Sequence, residues 1–276
     1  MRLVDTHAHL DDVRFGADVE DVIRRAVDAG VTQMVTVGTD LPSSRAAVAL
    51  AQSHDEVYAT VGLHPHHATT LTRAVLDEMR DLVGCPRVVA IGETGLDFFR
   101  DLSPRETQCE AFRVQLQLAV ETNKPVVVHI RDQPGRSQAH DEAMAILHGW
   151  AVDLPASRCA DLMARLGVLH CFSGGERWAR AALELGFFLG IDGPVTYPSA
   201  KGLQAMVADL PLEALLLETD CPYLSPQPQR GCRNEPAFLP YIAAQVARLK
   251  GEKDQHVGQV TAANARRLFH LPAVPE

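Results

Sequence analysis

Short β-branched or leucine-rich runs, each followed by a segment with helical apolar spacing, divide the 276 residues into a regular alternation of eight units. No glycine-rich phosphate loop follows the first run, which argues against an open, doubly wound sheet. The alternation over this length predicts a single-domain (β/α)8 barrel of the TIM type, with the doubly wound sheet as the alternative.

The first strand is Leu3-Val4, leaving through the polar pair Asp5-Thr6 to His7-Ala8-His9. Val19, Val22, Ile23, Ala26 and Val27 give the next segment a helical stripe, ended by Gly30. Strands are predicted at 31–38, 57–63, 88–93, 125–130, 167–172, 187–191 and 214–218. Helices are predicted between them at 42–53, 71–83, 104–122 (with Pro104 at its first position), 140–150, 156–166, 176–185 and 199–209. Two further helices, 236–250 and 255–269, close the chain. The stretch 131–167 is the least regular. It reads as one connecting unit carrying a surface insertion at about 133–166, of which 133–155 is expected to be removable in part.

Hydrophobic content of 46% and charged content of 22% are those of a soluble globular protein. No apolar run reaches the length of a membrane span, and the N-terminus lacks a secretory pattern. The six cysteines are scattered without a CxxC pair, which favours reduced thiols and a cytoplasmic location. A net charge of −9 excludes a broad nucleic-acid-coating surface but leaves room for a local basic patch.

In a barrel of this type, chemistry is carried at the C-terminal ends of the strands. His7 and His9 end the first predicted strand, His64 follows the third, Glu93 ends the fourth, and His129, His170 and Asp220 stand at the fifth, sixth and eighth. Side chains two apart on a strand point the same way, so His7 and His9 suit one divalent cation, with nitrogen donors at about 2.1 Å. Strands one and eight are neighbours in a closed barrel, so His7, His9 and Asp220 can hold a first metal. His129 and His170 can hold a second, with Glu93 bridging. Two such ions about 3.5–4 Å apart would lower the pKa of a shared water. Asp220 has a second role open to it, as the base that orients that water or relays its proton.

The stretches Asp5-Thr6-His7-Ala8-His9, Gly62-Leu63-His64-Pro65, Gly92-Glu93-Thr94-Gly95-Leu96-Asp97 and Val128-His129-Ile130-Arg131-Asp132 resemble, as a set and in order, the TatD-type metal-dependent deoxyribonucleases of the amidohydrolase-like barrels. So do Leu169-His170-Cys171-Phe172-Ser173-Gly174, Glu218-Thr219-Asp220-Cys221-Pro222-Tyr223-Leu224, Asn234-Glu235-Pro236 and the tail Asn264-Ala265-Arg266-Arg267-Leu268-Phe269. The resemblance implies His7, His9, Glu93, His129, His170 and Asp220 as metal ligands, phosphodiester hydrolysis as the reaction, and magnesium or manganese as supporting ions. Two features depart from the family pattern. The stretch between His129 and His170 is longer than usual, and Cys232 stands where a second basic residue is common.

Other residues take simpler readings. His64 faces the same rim, either as a substrate or outer ligand or as loop packing beside Pro65. His66 and His67 read as solvated loop residues, and His54, His140, His148, His256 and His270 as surface or capping residues. Cys171 and Cys221 neighbour ligands on the opposite face of a strand and so read as packing. Arg131, Arg230 and Arg233 are the candidate phosphate contacts; Arg177 reads as an ordinary surface charge.

The leading function is hydrolysis of phosphodiester bonds by a deoxyribonuclease working at a 3′ end, because a rim pocket in an acidic globule suits single-stranded DNA ends. The alternatives are an amidohydrolase acting on an amide, lactone or phosphotriester, and a noncatalytic metal-binding protein. The bridge in the former is often a carboxylated lysine, whereas here it is Glu93; the latter would have lost a ligand, and none is lost. Nitrogen-rich donors favour zinc, manganese or nickel, whereas the resemblance implies magnesium or manganese. The oligomeric state is not legible in the sequence.

Overall fold

The computed structural model describes residues 2–154 and 166–273. Its eight strands are β1 (Leu3–Ala8), β2 (Val31–Val37), β3 (Val57–Val61), β4 (Val88–Asp97), β5 (Val126–Arg131), β6 (Gly167–Leu169), β7 (Phe187–Ile191) and β8 (Leu215–Leu217), all parallel and in sequential order. The last and first strands close through residues just past β8. Asp220 N donates to His7 O at 2.9 Å and His9 N to Cys221 O at 2.8 Å. This is the predicted barrel, and chains of the same fold superpose on it as described below.

Helices α1 (Val19–Asp28), α2 (Leu41–Ser53), α3 (Arg73–Val83), α4 (Arg105–Thr122), α5 (Gln138–Val152), α6 (Glu176–Glu184), α7 (Lys201–Asp209), α8 (Leu239–Lys250) and α9 (Asp254–Phe269) surround it. Their starts follow local chemistry. Asp40 caps α2 by accepting from Ser43 N at 2.8 Å, and Thr72 caps α3 by accepting from Val75 N at 3.2 Å. Pro104 is the residue before α4 rather than its first turn. No helix among the described residues is long and apolar enough to cross a membrane.

Two apolar layers hold the frame. The larger lies between strands and helices. The smaller takes side chains from every strand, among them Val4, Val35, Tyr58, Val89, Val127, Val168, Phe188 and Leu216, and joins them to Ala262, Ala265, Leu268 and Phe269 of α9. The terminal helix therefore stops the N-terminal mouth of the barrel with apolar side chains, and the polar residues collect at the other end.

The fifth unit departs from the sequence reading. Helix α5 is framework rather than a surface excursion: Ala139, His140, Ala143, Met144, Ile146 and Leu147 are buried on it. Its start is fixed by Asp132, which accepts from Ala139 N at 2.8 Å and from His140 N at 3.1 Å. Trimming that reaches α5 would remove a helix of the ring, so within the stretch 133–155, expected to be removable in part, only the loop 133–137 lies before that framework. Most of the second helix predicted here, 156–166, lies outside the described residues.

A buried glutamine ties this frame to the site. Gln115 on α4 accepts from Leu63 N at 2.7 Å and donates to Leu63 O at 2.9 Å and to Thr94 Oγ1 at 2.7 Å. Replacing it by leucine strands the Leu63 backbone groups in an apolar layer, each at about 1–3 kcal/mol. Gln115→Leu is expected to lower stability by roughly 2–4 kcal/mol, read from the urea midpoint at unchanged slope.

Candidate metal centre and cleft

The polar end of the barrel opens into a cleft of about 700 Å³. His9, His64, Glu93, His129, His170 and Asp220 line it, and His7 lies fully buried beneath. Simple alternation from the inward-facing Val4 would turn His7 outward. The register between β1 and β2 shifts between Asp5 and Ala8, and this bulge re-aims the strand end so that both histidines face the centre. Asp5 is thus no polar exit. It is buried, accepts from Thr219 N at 3.0 Å and Thr219 Oγ1 at 2.6 Å, and so fixes the segment carrying Asp220. Burial pushes its pKa up to about 7.

Strand β4 runs four residues further than its predicted end at Glu93, pairing Thr94–Asp97 with Val128–Arg131. Gly95 permits this approach, because a Cβ there would sit 2.0 Å from His129 O. Glu93 is 3% exposed and stands at the middle of the donor set. Its Oε1 lies 3.0 Å from His129 Nδ1, 3.1 Å from His170 Nε2 and 3.6 Å from His64 Nε2. Its Oε2 lies 3.5 Å from His7 Nε2 and 4.0 Å from His9 Nε2. Asp220 Oδ1 closes the other side, 3.3 Å from His9 Nε2 and 3.8 Å from His7 Nε2.

Acceptors stand behind the outer nitrogens of three of the histidines. His129 Nε2 is 3.1 Å from Asp97 Oδ2, His170 Nδ1 is 3.3 Å from Glu218 Oε1, and His9 Nδ1 is 3.3 Å from Val37 O. Each ring thus turns its other nitrogen to the centre, the outer support that metal-ligating histidines use. Asp97 and Glu218 lie within the family-like motifs and are absent from the expected site residues. Their signal was parity: Asp97 lies four residues past Glu93 on one strand face.

The donor atoms fit divalent cations. Both ring nitrogens of His7 are buried without a hydrogen-bond partner, a costly state for an imidazole unless a cation takes a lone pair. Metal-ligand spacing joins His7, His9 and Glu93 in one group and His64, Glu93 and His129 in another, with His7, His170 and Asp220 in a third. Burial, then the neighbouring His170, lowers the pKa of His7, and burial holds that of His64 well down, so both are neutral donors. Burial opposes protonation of His9 too, but Asp220 and Glu93 outweigh it and raise its pKa to about 9. Burial would raise Glu93, yet the imidazoles around it, His170 foremost, hold it well below the usual carboxylate range. Cations arriving here displace protons.

Several expectations change. His66 is not a solvated loop residue: its Nε2 lies 3.1 Å from Asp97 Oδ2, and it lines the cleft. His140 is buried, with Nδ1 2.7 Å from Asp132 Oδ2, and is neither a surface nor a simple capping residue. Cys171 faces the cleft, because β6 ends at Leu169 and the left-handed backbone at Cys171 (φ 46°) breaks the alternation. Cys221 is buried packing. Of the arginines, Arg131 lines the cleft together with Arg100, which sequence reasoning missed. Arg230 stacks over Tyr197, and Arg233 forks onto Asp18 at 2.8 and 2.7 Å; neither reaches the cleft lining. On the opposite lip stands Tyr223, half exposed, its ring 5.9 Å from that of His9.

The chain matches the TatD related DNase family over residues 4–270. It belongs to that family. The protein of Pantoea ananatis named 3′-5′ ssDNA/RNA exonuclease TatD is 41% identical over 276 residues, covering 98% of this chain and 100% of its own. The protein of Bacillus subtilis named as an uncharacterized metal-dependent hydrolase, YabD, is 38% identical over 269 residues, covering 98% and 99%. The crystal structure of YJJV, a TatD homolog from Escherichia coli, superposes with a TM-score of 0.87 at 33% identity, covering 98% of this chain and 99% of that one.

The Asp97–His129 contact gives a direct test. Asp97→Asn keeps the shape but loses the charge behind His129. Apparent manganese affinity, measured by calorimetric titration, is expected to fall about 10–100-fold.

Proposed function

We propose that this TatD-family protein is a divalent-metal-dependent 3′-5′ exonuclease acting on the ends of single-stranded DNA. One observation carries the reading. A buried carboxylate, Glu93, is shared by two sets of imidazoles at the floor of a cleft with arginines on its rim. The name carried by the Pantoea ananatis relative supports both the polarity and the single strand. No lysine is among the residues lining the cleft, which disfavours a carboxylated-lysine bridge of the amidohydrolase kind.

His7, His9 and Asp220 would hold one cation and His129 and His170 the other, with Glu93 between them; zinc, manganese and magnesium are the candidates. A pair of divalent cations there supplies Lewis-acid stabilisation of phosphoryl charge and acidifies water. The protein's own groups do the rest. Asp220, against His9 at 3.3 Å, is the acid–base group that takes a proton from the attacking water. Arg131, held over the Phe99 ring at 4.1 Å, and Arg100 bind phosphate oxygens. Tyr223 stands half exposed at the mouth with Arg14 over one face of its ring at 4.2 Å, and its other face is the one to take a nucleobase, as aromatic rings do without regard to sequence. The net charge of −9 repels a polyanion at distance, so binding rests on these local contacts.

Asp220→Asn is expected to keep the fold and lower turnover on a 3′-end-labelled single strand by about 10²–10⁴. A variant retaining most of its activity contradicts the role of Asp220. Two to four phosphate contacts predict a slope of log affinity against log salt of roughly −1.4 to −2.8. Arg131→Ala in the metal-loaded Asp220→Asn background should flatten the slope by about 0.7 and weaken all sequences alike. Arg233→Ala, which gives up Asp18 rather than a cleft position, should leave the slope unchanged.

A further inference from the structure

Beside the histidine centre, on the wall formed by the exits of β6 and β7, stands a second group of donors that shares only Asp220 with the ligand set just described. Cys171 Sγ, a carboxylate oxygen of Asp192 and one of Asp220 lie within 4.8 Å of one another. Asp192 follows β7 directly, is 2% exposed, and its Oδ2 has no hydrogen-bond partner. A buried carboxylate oxygen left unpaired is costly, and nothing in the phosphodiester mechanism uses it. Glu218, the next acid inward, is already engaged by Cys171 N at 2.5 Å and Thr6 Oγ1 at 3.3 Å. Cys171 lines the cleft, so an ion can enter from solvent.

We propose that Cys171, Asp192 and Asp220 form a further cation site, sharing Asp220 with the histidine centre and selective for thiophilic divalent ions, zinc or cadmium, and that its occupation inhibits the enzyme. Small shifts bring the three atoms within the roughly 2.0–2.3 Å that sulfur and oxygen donors require of zinc. Binding forms a sulfur–metal bond and oxygen–metal bonds and releases two protons to solvent, that of the Cys171 thiol and that of Asp192, whose pKa burial pushes up to about 8, with no change of oxidation state. Magnesium prefers oxygen donors and keeps its waters, so it does not compete here. The inhibitory consequence rests on the reading of Asp220 as the acid–base group, because the ion draws that carboxylate away from His9. The existence of the site does not.

The test titrates cadmium into the magnesium-loaded full-length protein without nucleic acid, following the ultraviolet cadmium–thiolate charge-transfer band. Wild type should show a saturable band that is absent from Cys171→Ser. Asp192→Asn retains the thiol and should weaken cadmium binding by about tenfold or more. A band of wild-type size in Cys171→Ser assigns the signal to other cysteines and overturns the proposal. Unchanged cadmium affinity in Asp192→Asn reduces the site to a lone thiol and overturns it equally, and this arm decides the matter if the serine variant does not fold. Nuclease activity is read separately, as inhibition by zinc under saturating magnesium. A protein that shows the band but cleaves no single strand retains the site and loses the nuclease reading.

Discussion

Keeping Glu93 ionised at 3% exposure is the constraint on which the site depends. A carboxylate removed from water needs compensating positive charge or donors within contact range, or it takes up a proton. The barrel meets this demand by delivering imidazoles from β1, β3, β5 and β6 to its two oxygens, at distances from 3.0 to 4.0 Å. Those imidazoles in turn compete for protons, and carboxylates, Asp97 and Glu218, stand behind two of them. The cluster is therefore one coupled charge system. The proposed preference for divalent cations follows from the number of imidazole donors brought around one buried anion.

The frame supplies that geometry through a few local departures from regularity. A bulge at Asp5–Ala8 turns His7 and His9 inward, and the contact of Asp5 with Thr219 locks the Asp220 segment against it. Gly95 lets β4 lie close enough to β5 for Glu93 and His129 to meet. Gln115 pins the turn before His64. The apolar plug from α9 occupies the opposite mouth, so polar chemistry has one end of the barrel available.

The barrel and the six central residues were legible because both are periodic. Strand runs recur at regular intervals, and donors at strand exits fall on one rim whatever the details of packing. What the sequence concealed is what breaks periodicity. Cys171 reads as a packing residue until β6 is seen to stop at Leu169. His66 looks like one of a solvated pair until Asp97, an acid on the extended part of β4, reaches it. Helix α5 is legible at 140–150, but its place in the ring is not, because only tertiary packing reveals the buried face. Arg233 shows the converse. Its place beside Asp220 in the chain suggested phosphate binding, but Asp18, distant in sequence, holds it away.

The central claim is that one carboxylate organises two cation positions, and metal stoichiometry tests it most directly. Manganese suits the histidine and carboxylate donors better than the softer thiol site. Elemental analysis after manganese loading and gel filtration should find two ions per chain in the wild type and at least one fewer in Glu93→Gln. Full occupancy of both positions in the glutamine variant would contradict the account, because the donor set would then hold its ions without the anion around which it is built.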